Sequence, residues 1–194
     1  MAGVHPLLVP LLWLVGEGEW VGYGEGSYPP REGRPEGVPT FRYVERVTFA
    51  PVPGKPVVSY ASVTRAAPED EGSPMRGKPM HAESGFLRAL PSGAFELVVA
   101  QSTGVAEVAR SPVAGAAPSS LELVSTELAN AAVVTQTARA FHKVATPAGG
   151  GQTALLSTLA MAAAGVPLTP HLASKLTPAS TPEAKALKQA FFGP

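Results

Sequence analysis

The chain has 194 residues, with 15 Lys and Arg against 15 Asp and Glu, four His, no Cys, 20 Gly and 21 Pro. A formal net charge of zero with 15% charged residues lacks the basic footprint of binders of nucleic acid or anionic membrane, so neither is an expected partner. Without thiols there is no disulfide, Cys-ligated zinc, iron–sulfur cluster or Cys nucleophile, and metal chemistry falls to His, carboxylate or a bound cofactor.

In chain order, the apolar run Leu7 to Val15 is interrupted by Pro10 and is shorter than the roughly 20 residues a membrane-spanning helix needs. It has no basic flank or small-residue cleavage site, so the expected location is cytoplasmic. The run fits a short amphipathic or buried helix capping something apolar, with Pro6 in its first turn. Gly18, Trp20, Gly22 and Gly24 then alternate, placing small residues and one Trp on a single strand face, with Trp20 plugging one end of the assembly.

Residues 29–39 are polar and proline-rich and form an inserted loop. From Phe41 to Phe49, the residues Phe41, Tyr43, Val47 and Phe49 share one face and Arg42, Arg46 and Thr48 the other, the period-two pattern of a half-buried strand. Residues 57–64 follow. Residues 85–90 and 94–101 flank Pro91-Ser92-Gly93, the composition of a hairpin turn. Further strands are expected at 20–26, 104–110, 121–126, 133–144, 153–161 and 171–176. The Ala-rich stretches 129–140 and 155–164 suit helix by propensity. Val133, Val134, Thr135 and Thr137, with the Ala148-Gly149-Gly150-Gly151 turn, favour strands.

Ten short strands without intervening helices would leave sheet edges exposed unless they closed, so the expected fold is all-β. It is a ten-stranded antiparallel up-and-down β-barrel with a short N-terminal helix. Barrels slightly larger than about eight strands enclose a cavity. The barrel domain is assigned to residues 1–177. Residues 178–194 form an extension in which Thr181-Pro182-Glu183 reads as a helix start.

Gly72 to Lys78 has Walker A spacing, but Pro79 occupies the place of the Mg²⁺-binding hydroxyl, which excludes a phosphate loop. No zinc-protease helix, calcium loop or nucleophile elbow is present. The histidines, His5, His81, His142 and His171, are too dispersed for a local chelate. His81 opens a strand, and His171 follows Pro167-Leu168-Thr169-Pro170, where two prolines fix the approach to the last strand.

Several segments in order carry a resemblance. These are the Gly18/Trp20/Gly22/Gly24 motif followed by Tyr28-Pro29, then Phe41-Arg42-Tyr43-Val44-Glu45 and Gly54-Lys55-Pro56. Residues 78–86 (Lys-Pro-Met-His-Ala-Glu-Ser-Gly-Phe), 100–108 (Ala-Gln-Ser-Thr-Gly-Val-Ala-Glu-Val) and Met161-Ala162 through Pro170-His171-Leu172 complete the set. Over about residues 6 to 176 the chain resembles the nitrobindin family. That resemblance implies a barrel shaped like lipocalins and fatty-acid-binding proteins, holding one heme b near its mouth with His171 as the axial ligand. Met80, His81, Gln101 and Met161 match cavity positions, and Thr40 stands for a family Thr beside the inserted loop.

Relatives often carry an Ala-Lys-Glu stretch where this chain has Ala131-Ala132-Val133. Arg139 then becomes the nearest basic group for a heme propionate. The resemblance further implies that ferric heme isomerises peroxynitrite to nitrate and that ferrous heme binds nitric oxide. Such chemistry belongs to the cofactor, so His81 and Gln101 are expected to line the cavity rather than catalyse. Two other readings stand beside this one: a non-enzymatic carrier of a fatty acid or other apolar molecule, and a nitric oxide or redox sensor acting through the tail.

Overall fold

The structure is a computed structural model and describes residues 4–27, 40–111, 119–145 and 153–193. The apolar N-terminal run forms a 3-10 helix, Pro6–Leu11, continuing into α1 (Leu12–Val15). Pro6 begins the turn, where a missing N–H leaves no bond unmade, and His5 Nδ1 accepts from Leu7 N at 3.2 Å. Leu8, Leu11 and Leu14 are fully buried, so this short helical piece is a hydrophobic lid.

Ten strands follow: β1 (Glu19–Gly26), β2 (Phe41–Pro51), β3 (Val57–Ala66), β4 (Pro79–Ala89), β5 (Phe95–Gln101), β6 (Ala106–Arg110), β7 (Ser120–Ala129), β8 (Val134–Ala145), β9 (Thr153–Ala163) and β10 (Val166–Pro178). Consecutive strands pair antiparallel, and β10 returns to β1 to close the barrel. Both Ala-rich stretches are strands. Their alternating small residues pack on a pleated wall, and tertiary pairing overrides the helix propensity of Ala.

The lid covers one end. Trp20 is fully buried there and its indole N–H donates to Leu14 O at 3.2 Å. Against the lid pack Val47, Phe49, Val58, Tyr60, Leu87, Phe95, Leu97, Leu121, Leu123, Phe141, Leu155 and Leu176, so the lower half of the barrel is a filled apolar core. Phe49, Tyr60 and Phe141 meet with ring centroids 5.4 to 6.3 Å apart.

The glycines of β1 serve the closing seam. A Cβ on Gly22 would sit 2.1 Å from Lys175 O of β10, and one on Gly24 would sit 2.4 Å from the ring of Tyr43. Absence of side chains there lets Tyr43 fold across β1 and lets groups of β2 reach β10.

The largest boundary differences from the sequence expectation, at the starts of β4 and β10, share one physical reason. β4 begins at Pro79, not residue 85, and β10 begins at Val166, not residue 171. Prolines stand at 79, 167 and 170. Each sits beside a register shift, between Thr64 and Arg65 in the β3–β4 ladder and around Val166 to Leu172 in the β9–β10 ladder. A strand tolerates a residue without an N–H where the ladder is already broken.

The C-terminal segment forms α2 (Pro182–Phe192), capped by Thr181, whose Oγ1 accepts from Ala184 N at 3.3 Å. Ala184 and Phe191 are buried, and Lys188 Nζ meets Glu19 Oε2 at 2.8 Å, which ties the helix to β1. The expected loop at 29–39 and the glycine turn at 148–151 lie outside the described residues. Among the described residues no helix is long and apolar enough to cross a membrane.

Candidate functional site

Alternation along each strand sorts the interior into layers. Above the filled apolar half lies a polar layer made by Glu45 and Ser62, Glu83, Glu107, Thr137 and Arg139, and Ser174, all buried. Above that layer, at the end opposite the lid, are His81, Gln101, Met161 and His171. The mouth is the candidate site because it gathers these residues from four strands, β4, β5, β9 and β10, at the end opposite the lid.

His171 owes its placement to a β-bulge. Pro170 pairs with Ala160 and Leu172 with Leu159, which leaves His171 as the extra residue between them. Such an irregularity re-aims a side chain. Ser27, just past the end of β1, fixes the ring: Ser27 N donates to His171 O at 2.9 Å, and His171 Nδ1 lies 2.5 Å from Ser27 O. A carbonyl only accepts, so Nδ1 carries the proton and the imidazole lone pair is on Nε2. Burial pushes the His171 pKa below the ordinary histidine value; the Ser27 bond opposes this and His81 adds to it. The ring is therefore neutral at pH 7. Phe41 stands edge-on, with centroids 6.5 Å apart.

His81, on β4, is among the causes that lower the His171 pKa, which sets the two histidines at the same end of the barrel. His81 is half-buried, and its Nε2 is 3.4 Å from Glu83 Oε2. Gln101, at the end of β5, pairs across the ladder with Glu83. Its Nε2 donates to Glu107 Oε2 at 3.4 Å, and its Oε1 accepts from Thr103 at 3.3 Å. Met161 is opposite Thr137 and Thr169. Met80 stands at the rim, 41% exposed, next to the register shift that opens β4. Thr40 is exposed immediately before Phe41. The Gly18/Trp20/Gly22/Gly24 motif is remote from the mouth at its Trp end and lines the closing seam at its Gly end.

Arg139, expected as a partner for a propionate, is only 7% exposed and bonds to two carboxylates inside the barrel. Nη1 donates to Glu83 Oε1 at 2.6 Å, Nη2 to Glu83 Oε2 at 2.9 Å and to Glu107 Oε2 at 2.8 Å, and Nε to Glu107 Oε1 at 3.2 Å. Four of the five guanidinium hydrogens are thus committed to two buried carboxylates beneath the rim.

The carboxylates that hold it are not among the site residues expected from the sequence. Glu83 also receives the Tyr60 hydroxyl at 2.6 Å, and Glu107 receives Thr137 Oγ1 at 2.7 Å. Burial opposes ionisation of Glu83, but the Arg139 guanidinium, with bonds from His81 and Tyr60, holds its carboxyl well below the usual carboxylate range. Among the described residues no cation bonds to Glu45, and the Arg139 charge is only a minor influence on it. Ser62 donates to its Oε1 at 2.8 Å and Ser174 to its Oε2 at 2.5 Å, and burial still pushes its pKa up. The signal that could have found these groups is parity: Glu45 lies between Tyr43 and Val47 on their inward face, and Glu83 is two residues from His81.

Comparison with known proteins follows the same outline. A family model described as "THAP4-like, heme-binding beta-barrel domain" matches residues 7–177. The chain is 37% identical over 169 residues to "Peroxynitrite isomerase Rv2717c" of Arabidopsis thaliana, covering 87% of each chain. It is 36% identical over 182 residues to "Peroxynitrite isomerase 2" of Mycobacterium marinum, covering 90% of this chain and 96% of that one. The crystal structure of Rv2717c from M. tuberculosis is similar with a TM-score of 0.62 and 34% identity, over 90% of this chain and 98% of the other.

Proposed function

The chain belongs to the THAP4-like heme-binding β-barrel family, the nitrobindins, and from that membership we propose that it holds heme b at the mouth opposite the lid and isomerises peroxynitrite to nitrate. The axial ligand in this reading is His171, and the same iron in its ferrous state binds nitric oxide. One observation carries the assignment: the bulged His171 is a neutral imidazole with Nδ1–H tied to a backbone carbonyl. A proton held on Nδ1 by a fixed acceptor is the arrangement by which proteins orient a histidine toward a metal and raise its donor strength. The donor set therefore fits a His-ligated heme.

When bound, ferric heme would supply Lewis-acid chemistry toward peroxynitrite. The chain's own residues do the rest. His171 would hold the group through Nε2, and Ser27 O keeps the ring from turning. Phe41, Met161 and the rim at Met80 give the ligand apolar surroundings, and Thr40 stands at the entrance beside Phe41. Gln101 and His81 add the polar lining. No side chain is needed to move a proton for an isomerisation in which reactant and product have the same atoms.

The carrier reading fares worse on this geometry. An acyl chain would need the lower half of the barrel, which Trp20, Phe49, Tyr60, Phe141 and the leucines fill. Its carboxylate would need a cation, and Arg139 is engaged by Glu83 and Glu107. A sensor acting through the tail is also not favoured, because α2 packs on the chain's own β1.

The test is reconstitution of the purified chain with hemin. The wild type should give a distinct ferric Soret band that His171→Ala loses, and the loaded wild type should accelerate peroxynitrite decay to nitrate in stopped flow. A wild type that takes up no hemin, or a His171→Ala spectrum like the wild type's, refutes the reading.

A further inference from the structure

Two polar side chains of the mouth, His81 and Gln101, stand on carboxylates, and both carboxylates stand on the same guanidinium. His81 rests on Glu83 and Gln101 on Glu107. Arg139, on β8, joins the two from the far side of the interior. Glu83 is ionised and can only accept. Its oxygens already receive two Arg139 hydrogens and the Tyr60 hydroxyl, so the fourth neighbour, His81 Nε2, has to approach with a hydrogen.

We propose that Arg139 is a positioning residue for the mouth: through Glu83 it holds His81 as the Nε2–H tautomer, and through Glu107 it tethers the Gln101 amide. The ring nitrogen that neutral His81 has left for a cavity ligand is then Nδ1, a hydrogen-bond acceptor. Ligands that bring a hydrogen of their own, such as water, a hydroperoxide or peroxynitrous acid, gain a partner there, and ligands without one do not. Arg139 thus acts on the cavity from beneath rather than on a cofactor at the rim.

The identity of the ligand rests on the heme reading, but the tautomer does not. It is a property of the chain with or without a cofactor. This separates the two failures: a chain that takes up no hemin sinks the heme reading and leaves the tautomer to be measured.

The experiment is two-bond ¹H–¹⁵N correlation of the histidine rings in the full-length ¹⁵N-labelled chain, above the ordinary histidine titration range. It is recorded unloaded and loaded with gallium(III) protoporphyrin, a diamagnetic stand-in for hemin. His81 is assigned by loss of its signals in His81→Asn. The expected wild-type pattern is a protonated Nε2 and a bare Nδ1. Glu83→Gln and Arg139→Lys should collapse it toward averaged shifts, while Glu45→Gln, in the same layer without a bond to His81, should leave it in place. Glu107→Gln should release the Gln101 amide protons to faster exchange. A wild-type His81 protonated at Nδ1 or averaged, or an unchanged pattern in folded Glu83→Gln, overturns the proposal. Should Arg139→Lys fail to fold, the wild-type tautomer, Glu83→Gln and Glu107→Gln decide it.

Discussion

Arg139 and Glu83 are 56 residues apart in the chain and meet inside the barrel through two N–H···O bonds of 2.6 and 2.9 Å. With Glu107 they form a buried charge cluster in which each member has a partner. Breaking such a cluster is more harmful than replacing it, because the remaining charges keep their desolvation penalty and lose their compensation. Arg139→Met should therefore lower unfolding stability by about 3–5 kcal/mol. The triple change Arg139→Met, Glu83→Gln, Glu107→Gln should recover a large part of that loss. Urea denaturation of the three proteins measures it, and a triple variant no better than the single one contradicts the account.

Glu45 should show the opposite pH behaviour to an ordinary paired carboxylate. Its folded pKa is raised above the unfolded value by burial. Its contribution is therefore fully present below the ordinary Glu range and is lost as pH rises from there through the folded pKa. Glu45→Gln keeps polar atoms opposite Ser62 and Ser174 but cannot ionise. The stability of Glu45→Gln relative to wild type should rise with pH above the ordinary carboxylate range, and chemical denaturation at a series of pH values follows it. A difference that is flat with pH is the contrary result.

Hemin uptake should resist mild acid. Protons compete with iron for the histidine lone pair, and the His171 pKa lies below its ordinary value of 6.5. Affinity should be constant down through that value and fall only at lower pH. Soret titrations across the acidic range test this. An affinity that already falls above the ordinary histidine range would mean that the ring is not held neutral by burial.

Gly22→Ala should destabilise the closing seam by about 3 kcal/mol, the upper part of the range for overpacking, since its Cβ would meet Lys175 O and Leu176 Cα, both backbone atoms of β10. Thermal melts should place the loss there. Gly72→Ala, where a Cβ would meet only the Asp70 side chain at 3.3 Å, should be close to neutral.

Much of the barrel was legible because period-two patterning is local. Phe41, Tyr43, Val47 and Phe49 announce their strand without reference to any other segment. Trp20 and the alternating glycines likewise mark a strand that closes against its neighbours. The ends of β4 and β10 were not legible, since whether Pro79 or Pro170 stops a strand or sits at a bulge depends on the ladder of the adjacent strand.

His171 could be singled out from its proline context and the family resemblance, but its Ser27 partner lies 144 residues away and no local pattern joins them. The fate of Arg139 was equally hidden. Along the chain it is a basic residue among small ones, suitable for any anion. Charge alone does not say whether such a group faces solvent, a cofactor or a buried carboxylate.

Local alternation and composition determined by themselves that this chain makes a closed barrel of short strands, with any metal left to histidine or carboxylate. Only the closing of ten strands decided which charges would share the interior, because a buried ion's partner is chosen by distance in space and by the need to offset desolvation. Glu83, Glu107 and Arg139 come from three separate strands, and their meeting beneath His81 and Gln101 exists only once the barrel is shut.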